Sequence, residues 1–272
     1  MTLGTTPGSA DRSLAGQALR LSRRPAEVAL CLDFDGTLSP IIDDPGAALP
    51  LPGVVEILTA LASRFAVVAL ISGRPARYLA EHAAAPGVRY MGLYGLQEIR
   101  DGQVWVDPRL EAARPAVVAA EMDLRNATAV RDSGAHLEDK QYAVAVHTRR
   151  IDDPDRWAGP IDEAVRKIAD RHGLEVIPGK LVWELAPRVH TDKGDAVGRV
   201  VAQSGARCVV FVGDDLGDLP AFNAVTQAIT DGLEGLRVAV RSAEAPPPLL
   251  AAADLIVDGP PAVLDFLRRL GA

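Results

Sequence analysis

Three short runs, "VALCL" (28–32), "FAVVALI" (65–71) and "CVVFV" (208–212), are apolar without alternation. Strands buried on both faces of a parallel sheet read this way, because neither side of the pleat meets water. The intervening stretches carry helical spacing instead. In "PGVVEILTALASR", Val54, Ile57, Leu58 and Leu61 fall at i, i+3, i+4 and i+7, with Pro52 at a helix start. "TDKGDAVGRVVAQSG" repeats the pattern with Val197, Val200 and Val201, and Gly205 supplies the stop. Two more runs, "LRVAV" (236–240) and "ADLIVDG" (253–259), precede a terminal helix, "PAVLDFLRRL". The alternation predicts an α/β fold, a doubly wound parallel sheet of the Rossmann-like kind, formed by residues 25–108 and 186–272.

The segment 109–185 breaks the rhythm. It reads as a helix spoiled by Pro115, the strand pair "AHLEDK" and "YAVAVHTR", a helix "GPIDEAVRKIADRHG", and a second pair "LEVIPG" and "KLVWELAP". The order αββαββ predicts an α+β insert with its own sheet.

Composition narrows the class. Apolar residues make up 48% of the chain and aromatic ones 4%, so the core is built of Ala, Val and Leu. A net charge of −7 argues against nucleic acid as a partner, yet leaves room for an anionic substrate held by a few placed cations or a metal. Cys31 and Cys208 both lie inside apolar runs and are expected as buried thiols. No stretch reaches the roughly 18 apolar residues that a membrane span needs. Residues 1–24 have no apolar leader core and read as a loose tail, so the expectation is a soluble, cytoplasmic protein.

Ligands of parallel α/β sheets bind beyond the carboxyl ends of the strands. There the three best runs end in Asp33 and Asp35, in Ser72-Gly73-Arg74, and in Asp214 and Asp215. Carboxylates converging on one crevice repel one another without a cation, and an all-oxygen set suits a hard ion, with Mg2+ the expected cofactor. Asp33 then fits a carboxylate nucleophile for phosphorus. Asp35 lies on the same side of an extended backbone and fits the acid/base that protonates the leaving oxygen and activates water. Gly36 turns the chain sharply and frees backbone N–H groups for phosphate oxygens. Lys193, in the first turn of a helix behind Thr191-Asp192, opposes the macrodipole and is expected to neutralise nucleophile and phosphate.

"DFDGT", "SGR", the helix-starting "DKG" and "GDDLGD" resemble, in order, the four motifs of the haloacid dehalogenase superfamily of Mg2+-dependent phosphatases. The resemblance implies catalytic Asp33, Asp35, Lys193 and Ser72, the last binding phosphate, with Gly73 and Arg74 as substrate-binding residues. It implies metal ligation by Asp33, Asp214 and the Asp35 carbonyl, supported by Asp215 and Asp218. The insert falls where one class of these enzymes carries a cap, and "LEDKQYAVAVHTR" with "VWELAP" resembles the trehalose-6-phosphate phosphatases. That implies Glu138, Lys140, His147, Arg149 and Glu184 near the sugar. It also implies a small sugar phosphate as substrate and a functional link to a sugar-phosphate synthase.

The chain departs from that pattern at Tyr94, where the family shows His, and at Gly217 and Leu219, where it shows Thr and Glu. Another phosphorylated sugar, a phosphomutase reaction, and a non-catalytic phospho-acceptor module therefore stay open. Against the last stands Asp35, which an acceptor does not need.

Overall fold

The structure, a computed structural model, describes residues 14–42, 48–179, 181–243 and 245–271. The chain up to Trp105 and from Thr191 onward forms one compact unit, and Val106–His190 forms another. The insert expected at 109–185 lies within the second.

The first unit carries an eight-stranded sheet. Its strands are β1 (Val28–Leu32), β2 (Val67–Ile71), β3 (Arg89–Gly92), β4 (Gln97–Arg100), β5 (Gln103–Val106), β10 (Cys208–Gly213), β11 (Glu234–Arg241) and β12 (Leu255–Asp258), ordered β12-β11-β10-β1-β2-β3-β4-β5. From β12 to β3 neighbours run parallel, and β4 pairs with β3 antiparallel. Central β1 pairs Val28 with Cys208 and Leu32 with Val212, and all five of its residues are buried.

Successive side chains of β1 feed two cores, as the period of a strand requires. Leu30 and Leu32 pack with Leu58 of helix α2 (Val54–Ala62) and Leu267 of α10 (Gly259–Gly271). Ala29 and Cys31 pack with Val197 of α7 (Lys193–Ser204) and Phe222 of α8 (Leu219–Thr230). Each fully buried Leu or Phe contributes roughly 1.5–3 kcal/mol. Cys31 and Cys208 are free, buried, and in different cores, which separates the two thiols. Among the described residues no helix is long and apolar enough to cross a membrane.

The expectation of a loose tail over residues 1–24 needs correction. Leu14–Ser22 is helix α1, with Ala18 and Leu21 buried in the core shared with α10. Arg20 and Arg24 pair with Glu234 at 2.8 and 2.6 Å. Ala18 and Leu21 stand three apart, as helical spacing requires, and a core edge was available to bury them. Residues 1–13 lie outside the described part.

The second unit is a four-stranded antiparallel sheet, ordered β6 (His136–Asp139), β7 (Val144–His147), β9 (Val182–Pro187), β8 (Leu174–Gly179). Val144, Val146 and Leu185 pack against α4 (Pro108–Asn126), α5 (Thr128–Ser133) and α6 (Pro154–His172). Helix α4 runs through Pro115, and α6 starts at Pro154, ahead of the expected Gly159, because Asp153 accepts from the Arg156 N–H and caps it. Asp123 of α4 ties the end of α6 through Arg171 (2.6 Å) and His172 (2.9 Å).

Candidate active site

Asp33 continues the ladder of β1, its N–H donating to Val212 O at 2.9 Å, so its carboxylate stands at the carboxyl end of the sheet. The following loop folds on itself: Leu38 and Ser39 donate to Phe34 O, and Gly36 donates to Ser39 O. Those three N–H groups are therefore spent inside the loop. Fully buried Phe34 anchors the turn. Gly36 has φ +71°, and a Cβ there would lie 1.9 Å from Asp214 Oδ2. Only glycine lets the loop approach the neighbouring strand end that closely.

Lys193 joins the two aspartate motifs. Its Nζ lies 2.8 Å from Asp33 Oδ1 and 2.6 Å from Asp218 Oδ1, with all three side chains almost wholly buried. Asp218 Oδ2 accepts from the N–H groups of Asp214 (2.8 Å) and Asp215 (3.0 Å). Asp218 thus gives Oδ1 to Lys193 and Oδ2 to the loop after β10, whereas exposed Asp215 contributes mainly its backbone. Asp192 caps α7 by accepting from Asp195 N–H, which sets Lys193 as the first helical residue facing the cleft.

Burial dominates the electrostatics. It pushes Asp33, Asp214 and Asp218 up to about 7, with neighbouring carboxylates adding to the rise and Lys193 opposing it. For Lys193 burial acts to lower the pKa, but Asp33 and Asp218 overcome it and hold the ammonium charged. One cation thus faces three buried carboxylates. Asp33, Asp214 and Asp218 each offer an oxygen within 4.8 Å of the others, an all-oxygen set that can hold a metal ion and suits a hard one. A divalent cation held there would supply the missing charge that protons otherwise provide.

The Ser72-Gly73-Arg74 loop leaves β2 beside this cluster. Ser72 is buried, and its Oγ accepts from Arg74 N–H at 3.2 Å. A Cβ on Gly73 would lie 2.7 Å from the Tyr94 hydroxyl oxygen, so the phenol lies over that glycine. Tyr94 and Leu93 adopt left-handed φ values of 55° and 49°, unusual for large side chains. The turn is held by Tyr94 N–H on Ser72 O, Leu93 N–H on Arg74 O, and Arg199 on Gly95 O. The resulting cleft, about 490 Å³, is lined by Asp33, Asp35, Ser72, Lys193, Asp214 and Tyr94 among others, including Gly217 at its rim.

Arg74 has a partner that sequence reading missed. Its Nε and Nη2 each donate to one Asp35 oxygen at 2.6 Å, and its guanidinium carbon lies 4.4 Å from the Tyr78 ring centre. The i+4 spacing of Arg74, Tyr78 and His82 signals the ring contact and not the pairing with Asp35. Ile41 and Ile42, which also line the cleft, offered no signal.

The remaining expected residues lie in the second unit. Glu138, Ala145, Glu184 and Ile177 are cross-strand partners and share the sheet face opposite the helices. His147 lies on that face too, 2.8 Å from Glu138, and Lys140 pairs with Glu184 at 2.5 Å. Arg149 is exposed in the turn after β7.

The Trehalose-phosphatase family model matches residues 31–247. A curated trehalose-phosphate phosphatase of Mycobacterium bovis (strain BCG / Pasteur 1173P2) is 35% identical over 256 residues. That alignment covers 92% of this chain, which spans 62% of the relative's length. The C-terminal domain of the C. albicans trehalose-6-phosphate phosphatase superposes with a TM-score of 0.67 at 24% identity, covering 94% of this chain and 96% of that one. A haloacid dehalogenase-like hydrolase from Bacteroides thetaiotaomicron superposes with 0.54 at 16% identity, covering 89% and 98%. These structures share the fold read from the strand pattern, and the chain belongs to the trehalose-phosphatase family.

Proposed function

We propose that this protein hydrolyses trehalose 6-phosphate to trehalose and inorganic phosphate, using Mg2+ and an aspartyl-phosphate on Asp33. The observation that carries the reading is the buried Asp33–Lys193–Asp218 bridge, with Asp214 beside it, at the strand ends of a chain of this family. The Asp33 carboxylate attacks phosphorus while the bond from phosphorus to the sugar oxygen breaks, and that oxygen takes the Asp35 proton. Asp35 then accepts a proton from water, whose oxygen attacks the aspartyl-phosphate and releases phosphate and the Asp33 carboxylate. Lys193 holds one Asp33 oxygen and offsets the charge of the incoming phosphate. The Ser72 hydroxyl donates to a phosphate oxygen. Asp33, Asp214 and the Asp35 carbonyl are the Mg2+ ligands, with Asp215 and Asp218 in support. Bound there, the ion neutralises carboxylate and phosphoryl charge.

Glu138, Lys140, His147, Arg149 and Glu184 are assigned to the sugar hydroxyls, for which carboxylates and cations supply acceptors and donors. Such a substrate also implies a sugar-phosphate synthase as functional partner.

The test is phosphate release from trehalose 6-phosphate, glucose 6-phosphate and mannose 6-phosphate, with Mg2+ and with EDTA. Mg2+-dependent turnover of trehalose 6-phosphate is the expected result. Turnover of a different sugar alone would keep the chemistry and reassign the specificity. Inertness towards all three in folded, Mg2+-binding protein would overturn the reading.

A further inference from the structure

We infer that Arg74 is a positioning residue for Asp35, held in that role by the ring of Tyr78. The inference rests on the reading of Asp35 as the acid/base. Two donors of one planar fork meet both oxygens of one carboxylate at 2.6 Å, which fixes the plane of the carboxylate and its direction. A lysine would fix neither.

The fork is itself fixed. Its guanidinium carbon lies 4.4 Å from the Tyr78 ring centre and 5.9 Å from that of Phe34. Tyr78 stacks on His82 with centroids 4.0 Å apart and donates its hydroxyl to Ala48 O at 2.6 Å. His82 Nδ1 lies 2.9 Å from Tyr78 O, closing a column along α3 (Ala76–His82). The Arg74 backbone is pinned as well, its N–H on Ser72 Oγ and its carbonyl accepting from Leu93 N–H.

Asp35 needs such help because its own neighbourhood supplies little. Its side chain is 38% exposed, against 5% for Asp33, and an exposed carboxylate turns freely unless something holds it. The nucleophile is oriented by Lys193 and burial; the acid/base is oriented by Arg74, whose fork takes one lone pair of each oxygen and leaves the outer ones for the proton that Asp35 carries and gives up.

The consequence is a leaving-group signature. An alkoxide leaving a sugar needs a proton, whereas nitrophenolate does not, so misaiming Asp35 harms the first reaction far more. In single-turnover experiments with saturating Mg2+, Arg74→Ala is expected to slow sugar release from trehalose 6-phosphate by at least ~100-fold, the usual scale of general acid catalysis. Nitrophenolate release from p-nitrophenyl phosphate should change less than about 3-fold. Arg74→Lys keeps the charge without the fork and should fall close to Arg74→Ala.

Tyr78→Leu should show the same selectivity at about 3- to 30-fold, the worth of a cation–π contact. This second variant leaves the Arg74 side chain in place, so it keeps the test alive if Arg74→Ala fails to fold by circular dichroism. Adding Arg74→Ala to Asp35→Asn should cost nothing further on the sugar substrate.

Equal losses on both substrates with weaker inhibition by inorganic phosphate would make Arg74 a phosphate ligand and overturn the inference, as would no loss on either. If wild-type protein cleaves another sugar phosphate instead, that ester replaces trehalose 6-phosphate and the comparison stands. A wild-type protein inert to every ester would remove the functional reading, and this inference with it.

Discussion

At the scale of single residues, the cleft leaves little room for change. A methyl group at position 36 would lie 1.9 Å from Asp214 Oδ2, at a φ of +71° that side chains disfavour. Gly36→Ala must therefore push the loop away from β10. It is expected to reduce Mg2+-supported turnover by about 100-fold, the usual penalty for a 1 Å misplacement of reacting groups. Steady-state kinetics together with Mg2+ titration calorimetry would check this, and wild-type values in both would show that the loop can relax. Tyr94 poses a narrower question. Tyr94→Phe keeps the ring over Gly73 and deletes only the hydroxyl. If that hydroxyl meets the sugar phosphate, KM should rise about 2- to 10-fold at unchanged stability, the net worth of one hydrogen bond. An unchanged KM would leave the ring a packing role. The pairing of Arg74 with Asp35 was beyond sequence reading for a plain reason: the two stand 39 residues apart and meet only because β1 and β2 are neighbours.

Elements whose burial is complete were the legible ones. The strands β1, β2 and β10 are continuous apolar runs because both faces are covered, and α2 and α7 show their stripes because only one face is. Elements outside the centre of the sheet carry no such signature. Strand β4 reads "QEIR", yet Gln97 Oε1 accepts from Ala76 N–H and Glu98 is buried between Arg89 and Arg100, so polar residues satisfy one another where apolar ones were expected. Helix α1 was hidden because its stripe is short and set among polar residues. The start of α7 was legible through its cap, and it matters more than most caps because Lys193 opposes the dipole there. Asp192→Ala removes the acceptor for Asp195 N–H and is expected to cost about 1 kcal/mol. Urea unfolding should show this as a lower midpoint at unchanged slope; an unmoved midpoint would mean that the Lys193 ion pairs alone hold the first turn.

For the whole molecule, the consequence of the site is a dependence of stability on pH. Asp33, Asp214 and Asp218 are pushed up to about 7, chiefly by burial, from an ordinary value of 3.8. Between those values the folded protein holds protons that the unfolded chain has released, so stability falls as pH rises from about 4 to 7. Lys193 is raised too, but from a value already above that window, so its contribution is constant there and lost only in strong alkali. Metal-free protein in EDTA should therefore melt at a lower temperature at pH 8 than at pH 5. Asp214→Asn, which removes one titrating group, should flatten that fall. An Mg2+ ion held by the ionised carboxylates would compete with their protons, so it should raise the melting temperature more at pH 8 than at pH 5. Thermal melts of both proteins at constant ionic strength, with and without the ion, give all the comparisons required. A flat EDTA profile in the wild-type protein, with equal Mg2+ shifts at both pH values, would mean that Lys193 already keeps the carboxylates ionised. A falling profile restored by Mg2+ would mean that the charge buried for catalysis is a stability cost that the ion offsets.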